Sequence, residues 1–594
     1  MKLGNPFAVT VSVVTLAAAA AIGACSEGRD SFRTPDQDFS AEPTPDAETC
    51  GLQCSRDGRR VLDSCTGAIA EECPDELACG GATCQEPCAA AAADQRSDGC
   101  DFYFQAPPLH KQQSDSCYAA FVVNTAALPV ELVLERDGEE LDISGATYST
   151  VLGEATLVPH PGPVAPGESV IVFASDRDPV LPPAAHATPC PPGVKAAHYW
   201  SSQSIRHTSI GKSFRLKTTR PVALSTIYPF GGADSYLPSA TLIHPVVSWS
   251  KENVLINGWE VVLSGDPLAQ IVAAEDDTKV TIHPRKDLVG TPLIPGSPAG
   301  VPVTYTLHRG EFLQITQKDE LTGSFVVSDK PTSIFGGHQC ANIPSHSPAC
   351  DTMSQQIPSF EHWGSEYASA GYRPRIPGDE QEPMPYRIVA ARDGTRFEYE
   401  PTIPPGAPTE LQAGESAFFP VTVGTGIVVR SQGAEHPFYL AAYMTGCGGD
   451  YFGSPRYPGS MGDPEFVNVA PTGQYLDAYS FYADPTYDET SLVIVRQKSD
   501  GRFHDVWLDC AGNLEAFRPL GSRGEFEYTR VDLGRGGGAG DTFGDRTCTK
   551  GLHRMRSEGP FTATVWGWDR AASYASPGGV AHRKLVDTPL VPLR

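Results

Sequence analysis

Positive charge is scarce in this sequence, and its scarcity excludes one class of partner. The 594 residues include 45 Lys and Arg against 71 Asp and Glu, which gives a formal net charge of −26 at pH 7. A field of this sign repels phosphate backbones, so we expect no nucleic acid among the partners. Long apolar runs are missing as well: after residue 24, none approaches the ~20 residues that a transmembrane helix needs.

Catalytic signatures are also missing. The sequence has no G-x-S-x-G, H-E-x-x-H, P-loop or G-x-G-x-x-G motif, so common hydrolase and nucleotide-binding chemistries lack support. No window of 12 or more residues carries the i, i+3, i+4, i+7 apolar stripe of an amphipathic helix. We therefore expect a non-enzymatic protein that has no required cofactor and little helix.

Gly, Pro and Cys are abundant instead, with 58, 53 and 16 residues. This amount of Gly and Pro is typical of a turn-dense β protein. Sixteen cysteines indicate an oxidising compartment and hence an exported protein.

Residues 1–24 have the pattern of a secretory signal peptide, with a short apolar core that ends at Ile22-Gly23-Ala24 before Cys25. This ending is typical of a bacterial lipobox, in which Cys25 is lipidated; ordinary cleavage with Cys25 as an unrelated thiol is the alternative. The polar residues 25–48 are predicted to form a disordered linker behind the lipid. We expect the N-terminal lipid to be the protein's sole contact with the membrane, at the outer membrane or cell surface.

Residues 49–100 are predicted to form a small disulfide-rich module. Few large apolar residues lie in this segment, so it cannot build a core of its own. Zinc binding is the alternative, but the segment has no CxxC pair and no interleaved His. The eight cysteines are Cys50, Cys54, Cys65, Cys73, Cys79, Cys84, Cys88 and Cys100.

An internal repeat fills the rest of the chain. Each repeat has an apolar strand, an acidic turn, a second strand, a Gly-Glu pair and a proline ahead of a strongly apolar strand. The closing prolines are Pro221, Pro331, Pro437 and Pro560, at spacings of 110, 106 and 123 residues. We place the four units at residues 101–232, 233–350, 351–460 and 461–594.

The units are predicted to be all-β. In "TRFEYEP", Phe397 and Tyr399 alternate with polar residues, which places one face of a strand on a core. Asp276-Asp277 and Asp393-Gly394 are expected to form tight hairpin turns. Tandem β-sandwich-like units of about 110 residues are favoured, and a β-propeller is the alternative because four units could serve as blades.

Several long motifs resemble the IgGFc-binding protein N-terminal domain family. They include "VAAEDDTKVTI", "LTGSFVVSDKPTSIFGGHQCANIP" and "GDPEFVNVAPTGQYLDAYSFYADPTY". The resemblance covers roughly residues 100–590. The chain also resembles bacterial surface lipoproteins that place a Cys-rich segment ahead of this domain. The resemblance implies an extracellular, disulfide-bearing, non-enzymatic role in binding or adhesion, without implying that immunoglobulin is bound. The first unit departs from the pattern, because "ERDGEE" replaces the "AEDDT" turn.

The segment "GGHQCANIPSHSPAC" is the strongest candidate for chemistry. His338, Cys340, His346 and Cys350 have a spacing that could bind zinc. The oxidising compartment, the two prolines in the loop and the family resemblance favour a Cys340–Cys350 disulfide instead. Cys510 and Cys548, which lie in one unit, are expected to pair as well. If Cys25 is acylated, an odd number of thiols remains, so one of them is free or intermolecular.

Calcium is a weaker possibility at two acidic turns, through Asp176 and Asp178 and through Asp276 and Asp277. Turn formation explains the same aspartates more simply. Six tryptophans lie at or beside repeat motifs, and this recurrence indicates core packing rather than a binding surface. They are Trp200, Trp249, Trp259, Trp363, Trp566 and Trp568.

The function predicted from the sequence is that of a surface lipoprotein that binds or adheres to an extracellular protein or glycan. A structural envelope spacer is one alternative, and an extracellular hydrolase that uses paired carboxylates is another. The hydrolase would require a concave pocket that contains an acid with a perturbed pKa.

Overall fold

The computed structural model describes residues 50–591 except 56–57, 110–114, 181–186, 201–206, 348, 450, 452 and 454. The predicted signal peptide (1–24), Cys25 and the linker (25–48) lie outside the described residues. Residues Leu52 to Arg594 form one compact unit. Within the described ranges, no helix is both long enough and apolar enough to cross a membrane.

The fold is all-β, as the sequence predicts. In the described part of the chain the single α-helix is Pro87–Asp94, which begins after Glu86, whose carboxylate accepts hydrogen bonds from the backbone N–H groups of Cys88 and Ala89. The described ranges also contain five short 3₁₀ segments, namely Gly232–Ser235, Val246–Ser248, Phe360–His362, Pro458–Ser460 and Thr472–Gln474.

The disulfide module consists of short strands and the helix. Its strands are Leu52–Cys54, Arg60–Asp63, Ile69–Glu72, Ala78–Gly80 and Thr83–Gln85. Disulfides join Cys54 to Cys79, Cys73 to Cys84 and Cys88 to Cys100.

The four units share one strand order, which we describe by the role of each strand. The leading strands are Gly99–Phe104, Ser250–Val254, Glu366–Ser369 and Leu476–Ala483. The central strands are Tyr118–Asn124, Pro267–Ala273, Pro383–Ala390 and Glu489–Gln497. The outer strands, each with a short partner, are Leu132–Arg136 with Glu139–Leu141, Thr278–His283 with Val303–Leu307, Thr395–Glu400 with Glu410–Leu411, and Val506–Leu508 with Gly512–Asn513.

Three further strands complete each unit. The flanking strands are Ser169–Arg177, Glu311–Thr316, Ser416–Thr422 and Phe526–Arg535. The closing strands are Phe214–Tyr228, Phe325–Ala341, the pair Ile427–Ser431 and Phe438–Met444, and Gly551–Asp569. The terminal strands are Ser239–Leu242, Asp351–Ile357, Glu465–Asn468 and Ala572–Pro577. Units 1 and 4 add short strands at Thr147–Thr150, Leu157–Pro159, His198–Trp200, Ser209–Lys212, Arg518–Leu520, Gly538–Ala539, Thr542–Phe543 and Arg546–Thr547.

The closing strand organises each unit because it pairs with the central strand along one half and with the outer strand along the other. The repeat proline lies at the joint between the two halves. In unit 1, Pro221 lies where the pairing register shifts between Lys217 and Val222. Since proline has no N–H to donate, it interrupts the ladder at this point. Each sheet therefore curls at its proline.

The expectation of tight hairpins at Asp276-Asp277 and Asp393-Gly394 is wrong in one respect. Both sites are turns, and Asp277 and Gly394 have positive φ. However, the strands on either side of each turn pair with different halves of the closing strand rather than with each other. The reason is the curl of the sheet, which separates the central strand from the outer strand.

The Gly-Glu pair has the same backbone conformation in every unit. Gly167, Gly310, Gly414 and Gly524 have φ between +69° and +74°. A residue with a side chain is disfavoured in this left-handed region, which explains why glycine precedes each flanking strand.

The hydrophobic cores lie between units. Four large clusters of buried residues join units 1 and 2, units 2 and 3, units 3 and 4, and units 4 and 1. In the central strand of unit 1, Phe121 and Val123 belong to the cluster shared with unit 4, whereas Ala120 and Val122 belong to the one shared with unit 2. Central strands are thus apolar throughout because both faces are covered.

The units follow one another in a cyclic order. The terminal strand of unit 1 contacts those of units 2 and 4, and the terminal strand of unit 3 contacts the same two. Neighbouring sheets face each other across a shared core, which is sandwich-like packing. The cyclic order is the feature that the propeller alternative predicts. We call this arrangement of the four units the ring.

Hydrogen bonds join the last segment of unit 4 to the end of the disulfide module. The backbone N–H of His582 donates to Gln95 O at 2.6 Å, and the N–H of Val580 donates to Ser97 Oγ at 3.1 Å. The strand Ser239–Leu242, which follows the predicted boundary at residue 232, pairs with the closing strand of unit 1. Whether 101–232 and the later ranges are separate folding units stays a prediction.

Candidate functional site

The loop with the strongest metal-like spacing is closed by a disulfide. Cys340 and Cys350 are bonded to each other, so neither thiol is available to a zinc ion. The buried His338 uses both ring nitrogens within the protein: Nδ1 accepts from the N–H of Cys340 at 3.1 Å, and Nε2 lies 3.1 Å from Glu260 O. The zinc alternative is therefore wrong for this loop.

Other cysteines are also committed to disulfides. Cys510 is bonded to Cys548 and Cys117 to Cys190, and Cys50 and Cys65 are disulfide-bonded too. Zinc is consequently excluded from the module. Cys447 is the one free and buried thiol in the described part of the chain.

The four aspartates considered for calcium make turn contacts in two separate places. Asp276 Oδ1 accepts from the N–H of Arg309 at 3.1 Å, and Asp277 lies 3.7 Å from His308. Asp176 accepts from the N–H groups of Arg177 and Cys190, and Asp178 from that of Val180. These contacts are those of ordinary acidic turns.

One other group of possible metal ligands lies close together in the described ranges, namely Asp509, Cys510 and His553. Cys510 belongs to a disulfide. His553 Nδ1 lies 2.9 Å from Asp509 Oδ1, and its Nε2 lies 2.6 Å from Thr549 O. These contacts occupy the donors and acceptors that a metal would need.

Five of the six repeat tryptophans are core residues. Trp249, Trp259, Trp363, Trp566 and Trp568 are buried, at most 5% exposed. Trp200 is half-buried, and its indole N–H donates to Ser116 O at 3.2 Å. Trp507 was not singled out from the sequence; it is half-buried, and the Arg556 guanidinium lies 4.5 Å from its ring centre.

The best candidate for a binding site is a cleft where the disulfide module meets units 1 and 4. Its volume is about 390 Å³, which lies within the usual range for ligand pockets. The charged lining residues are Arg59, Asp75, Asp94, Arg96, Asp98, Arg220, Asp477 and Arg583. The lining, as far as the structure describes it, contains no Trp, Tyr or Phe.

A disulfide and several hydrogen bonds hold the segments that frame the cleft. The Cys88–Cys100 disulfide ties the helix Pro87–Asp94 to the leading strand of unit 1. Arg583 Nη1 donates to the backbone oxygens of Gly473 and Tyr475 at 2.9 and 3.0 Å. These links tie the cleft walls to units 1 and 4.

Charges of both signs line the cleft in equal number. Arg96 Nη2 donates to Asp477 Oδ1 at 2.8 Å. Burial raises the pKa of Asp98, although Arg96 and the Thr125 hydroxyl act in the opposite direction. Among the described residues Arg220 has no ion-pair partner. The cleft can thus offer both an arginine and a carboxyl to a polar partner.

Sequence reasoning did not find this cleft, because its lining comes from segments between Cys54 and Arg583 that only the fold brings together. The one available signal was Pro221, which was identified as a repeat marker and lines the cleft beside Arg220.

Comparisons with known proteins agree with the repeat motifs. No curated protein and no solved structure matches the chain. A family model described as IgGFc binding protein matches residues 239–567, more than half of the sequence. The match begins at the terminal strand of unit 1 and covers units 2 and 3 and most of unit 4. This chain therefore belongs to the IgGFc binding protein family.

Proposed function

We propose that this protein is an exported, non-enzymatic binding protein that is anchored to a membrane through lipid on Cys25 and recognises an extracellular partner. The observation that carries the binding role is membership of the IgGFc binding protein family. The disulfides fit an exported protein, because they persist in oxidising compartments.

The chemistry of the cleft favours a polypeptide over a neutral glycan as partner. Its lining offers arginines and aspartates, which match charged side chains. Aromatic side chains, which supply stacking surfaces at many binding sites, are missing from the described lining. We therefore place an extracellular protein segment with both charges in the cleft.

Affinity capture with full-length protein tests this proposal. Wild-type protein is used to capture partners from extracellular and cell-surface extracts, and the Arg220→Glu variant is used in parallel. Arg396→Glu is the matched control, because Arg396 is exposed on unit 3, outside the cleft lining. We expect capture of a protein that is lost with R220E and kept with R396E. Equal capture by the wild type, R220E and R396E would show that the cleft is not the binding site. Capture of glycan alone would show that the partner is a glycan and not a protein.

The anchor is tested separately. Cys25→Ser should move the protein from the membrane fraction to the soluble fraction and abolish incorporation of a labelled fatty acid. Retention in the membrane without label would exclude a lipid on Cys25.

A hydrolase is the second candidate, and one observation favours it. Asp98 lies in a concave cleft, and burial raises its pKa, which is the combination that a catalytic acid requires. The binding proposal expects no turnover of peptide or glycoside substrates by the wild type. Turnover that is lost in Asp98→Asn would favour the hydrolase instead.

A further inference from the structure

Three carboxylates are buried where two terminal strands of the ring begin. Asp351 starts the terminal strand of unit 2, and Asp463 and Glu465 lie at the start of that of unit 3. All three are at most 2% exposed. Ser573 of unit 4 links two of them: its N–H donates to Asp351 Oδ2 at 3.2 Å, and its Oγ accepts from the N–H of Asp463 at 2.8 Å.

Positive charge does not balance this group. Arg375 is the cation that acts on Asp463, but its Nε already donates to the buried Glu382 at 2.7 Å. Because uncompensated buried charge is costly, such a group needs protons or a cation.

Oxygen atoms converge beside these carboxylates at Gly446. A Cβ placed on Gly446 would lie 3.2 Å from Asp463 Oδ1 and 3.3 Å from both Ile343 O and Ser347 Oγ. No described residue donates a hydrogen bond to Asp463 Oδ1, and Ser347 Oγ and Asp351 Oδ1 likewise have no partner in the described ranges. Since Ser347 is only 8% exposed, its unpartnered hydroxyl is a second feature, independent of the acids, that points to a ligand. We call this site the Gly446 cradle.

The cradle is held rigidly. Asn342 Nδ2 donates to Ser347 O and to Ala349 O, both at 2.7 Å. The Cys340–Cys350 disulfide closes the same loop, and the N–H of Gly446 donates to Ile343 O at 2.8 Å. Pre-positioned oxygens of this kind are suited to a bound ion.

We propose that the Gly446 cradle binds a calcium ion through Asp463 Oδ1, Ser347 Oγ and Ile343 O, with Asp351 supplying further negative charge. Carboxylate, hydroxyl and backbone carbonyl oxygens are the ligands that this hard cation takes, with water completing the shell. Imidazole ligands, which would favour zinc, are not part of the set, and the free thiol of Cys447, which interacts electrostatically with Asp463 and Asp351, lies beside it. The proposed calcium site thus lies in the interior of the ring and not at the acidic turns that the sequence suggested.

Titration calorimetry of chelator-treated, full-length protein with calcium chloride tests the proposal. We expect one site with a dissociation constant of about 0.1–1 mM, as in other extracellular calcium modules. Asp463→Asn should weaken binding at least about tenfold, because it removes the one direct carboxylate. Gly446→Ala should do the same without changing any charge, since its methyl group fills the cradle. Asp277→Asn is the control and should bind as the wild type does.

Thermal unfolding with and without calcium keeps the test decisive if a variant folds poorly. Calcium should raise the unfolding temperature of the wild type and of D277N, but not that of D463N or G446A. Ser347→Ala, a smaller change, should weaken binding severalfold. The proposal is overturned if the wild type takes up no calcium at about 10 mM, well above the expected range, or if D277N loses the site while D463N keeps it.

Discussion

The disulfide module and the ring are stabilised in different ways. In the described part of the module, the buried cluster consists of Val61, Cys73 and Cys79, and three disulfides of defined pairing hold the module together. In the described residues the ring has four large apolar clusters, each of which is shared by at least two units. Covalent links replace burial where the chain is too short to form a core.

This difference predicts where damage spreads. Because each hydrophobic core of the ring is formed by residues of neighbouring units, a change in one unit should also destabilise its neighbour. The module shares fewer buried residues with the rest, so damage there should stay local.

The largest expected effect is that of Trp566→Ala. Trp566 of unit 4 is 1% exposed, and its ring lies 4.9 Å from that of Tyr372 in unit 3. Truncation should lower the free energy of unfolding by about 3–5 kcal/mol, measured by chemical denaturation. Trp507→Ala, which removes a half-buried tryptophan from the same unit, should cost much less. Equal losses would contradict the shared core.

Removal of a module disulfide should have a smaller and more local effect. The Cys73–Cys84 link spans 11 residues, so the double change to Ser should cost the module up to about 3 kcal/mol. We expect rapid proteolysis between residues 52 and 85 with an unchanged unfolding midpoint of the ring. A matching fall in that midpoint would show that the two regions unfold together.

The smallest effect concerns pH and belongs to the ring alone. His244, His362 and His582 are buried together, with ring centres 4.7 Å (His244 to His582) and 5.2 Å (His362 to His582) apart. Burial lowers the pKa of His362 to about 4 and that of His244 to about 3, and burial lowers that of His582 as well. Glu361, 3.8 Å from His362 Nε2, is the nearby carboxylate.

At these three histidines the unfolded state binds more protons than the folded state between these pKa values and about 6.5, so their contribution to stability should fall as the pH drops through this window. Buried carboxylates such as Asp484, whose pKa burial raises to about 6, contribute in the opposite direction. At pH 5 each imidazole should contribute a loss of about 2 kcal/mol relative to pH 7. His582→Gln should make the fall shallower by one imidazole's share, measured by denaturation at several pH values. An unchanged slope would show that His582 does not titrate on unfolding.

The sequence predicted the repeated elements well because they depend on local chemistry. The repeat prolines mark the joints of the closing strands, since any chain position without an N–H must interrupt the ladder. Period-two alternation identified the buried face of strands such as Thr395–Glu400. The Cys340–Cys350 disulfide was expected from the oxidising compartment, the two prolines of its loop and the family resemblance, and it is present.

The rest depends on contacts between distant segments. Alternation shows that a face is buried but not which neighbour covers it, so the cyclic order of the units was left open. The binding cleft and the Gly446 cradle draw on residues far apart in the chain, such as Arg96 with Asp477 and Ser347 with Asp463. The sequence pattern alone does not show which of these distant residues come into contact.

The core that unit 1 shares with unit 4 has a consequence for biogenesis. Phe121 packs in one cluster with Leu492 and Val565. During synthesis, several hundred residues are added after Phe121 before these two residues are available to cover its apolar face. Early folding intermediates should therefore expose a hydrophobic surface that is prone to aggregation. Chaperones that bind nascent chains would protect this surface until the last repeat has been synthesised. Export of an unfinished ring would be hazardous, whereas a chain kept unfolded until it has crossed the membrane avoids that exposure.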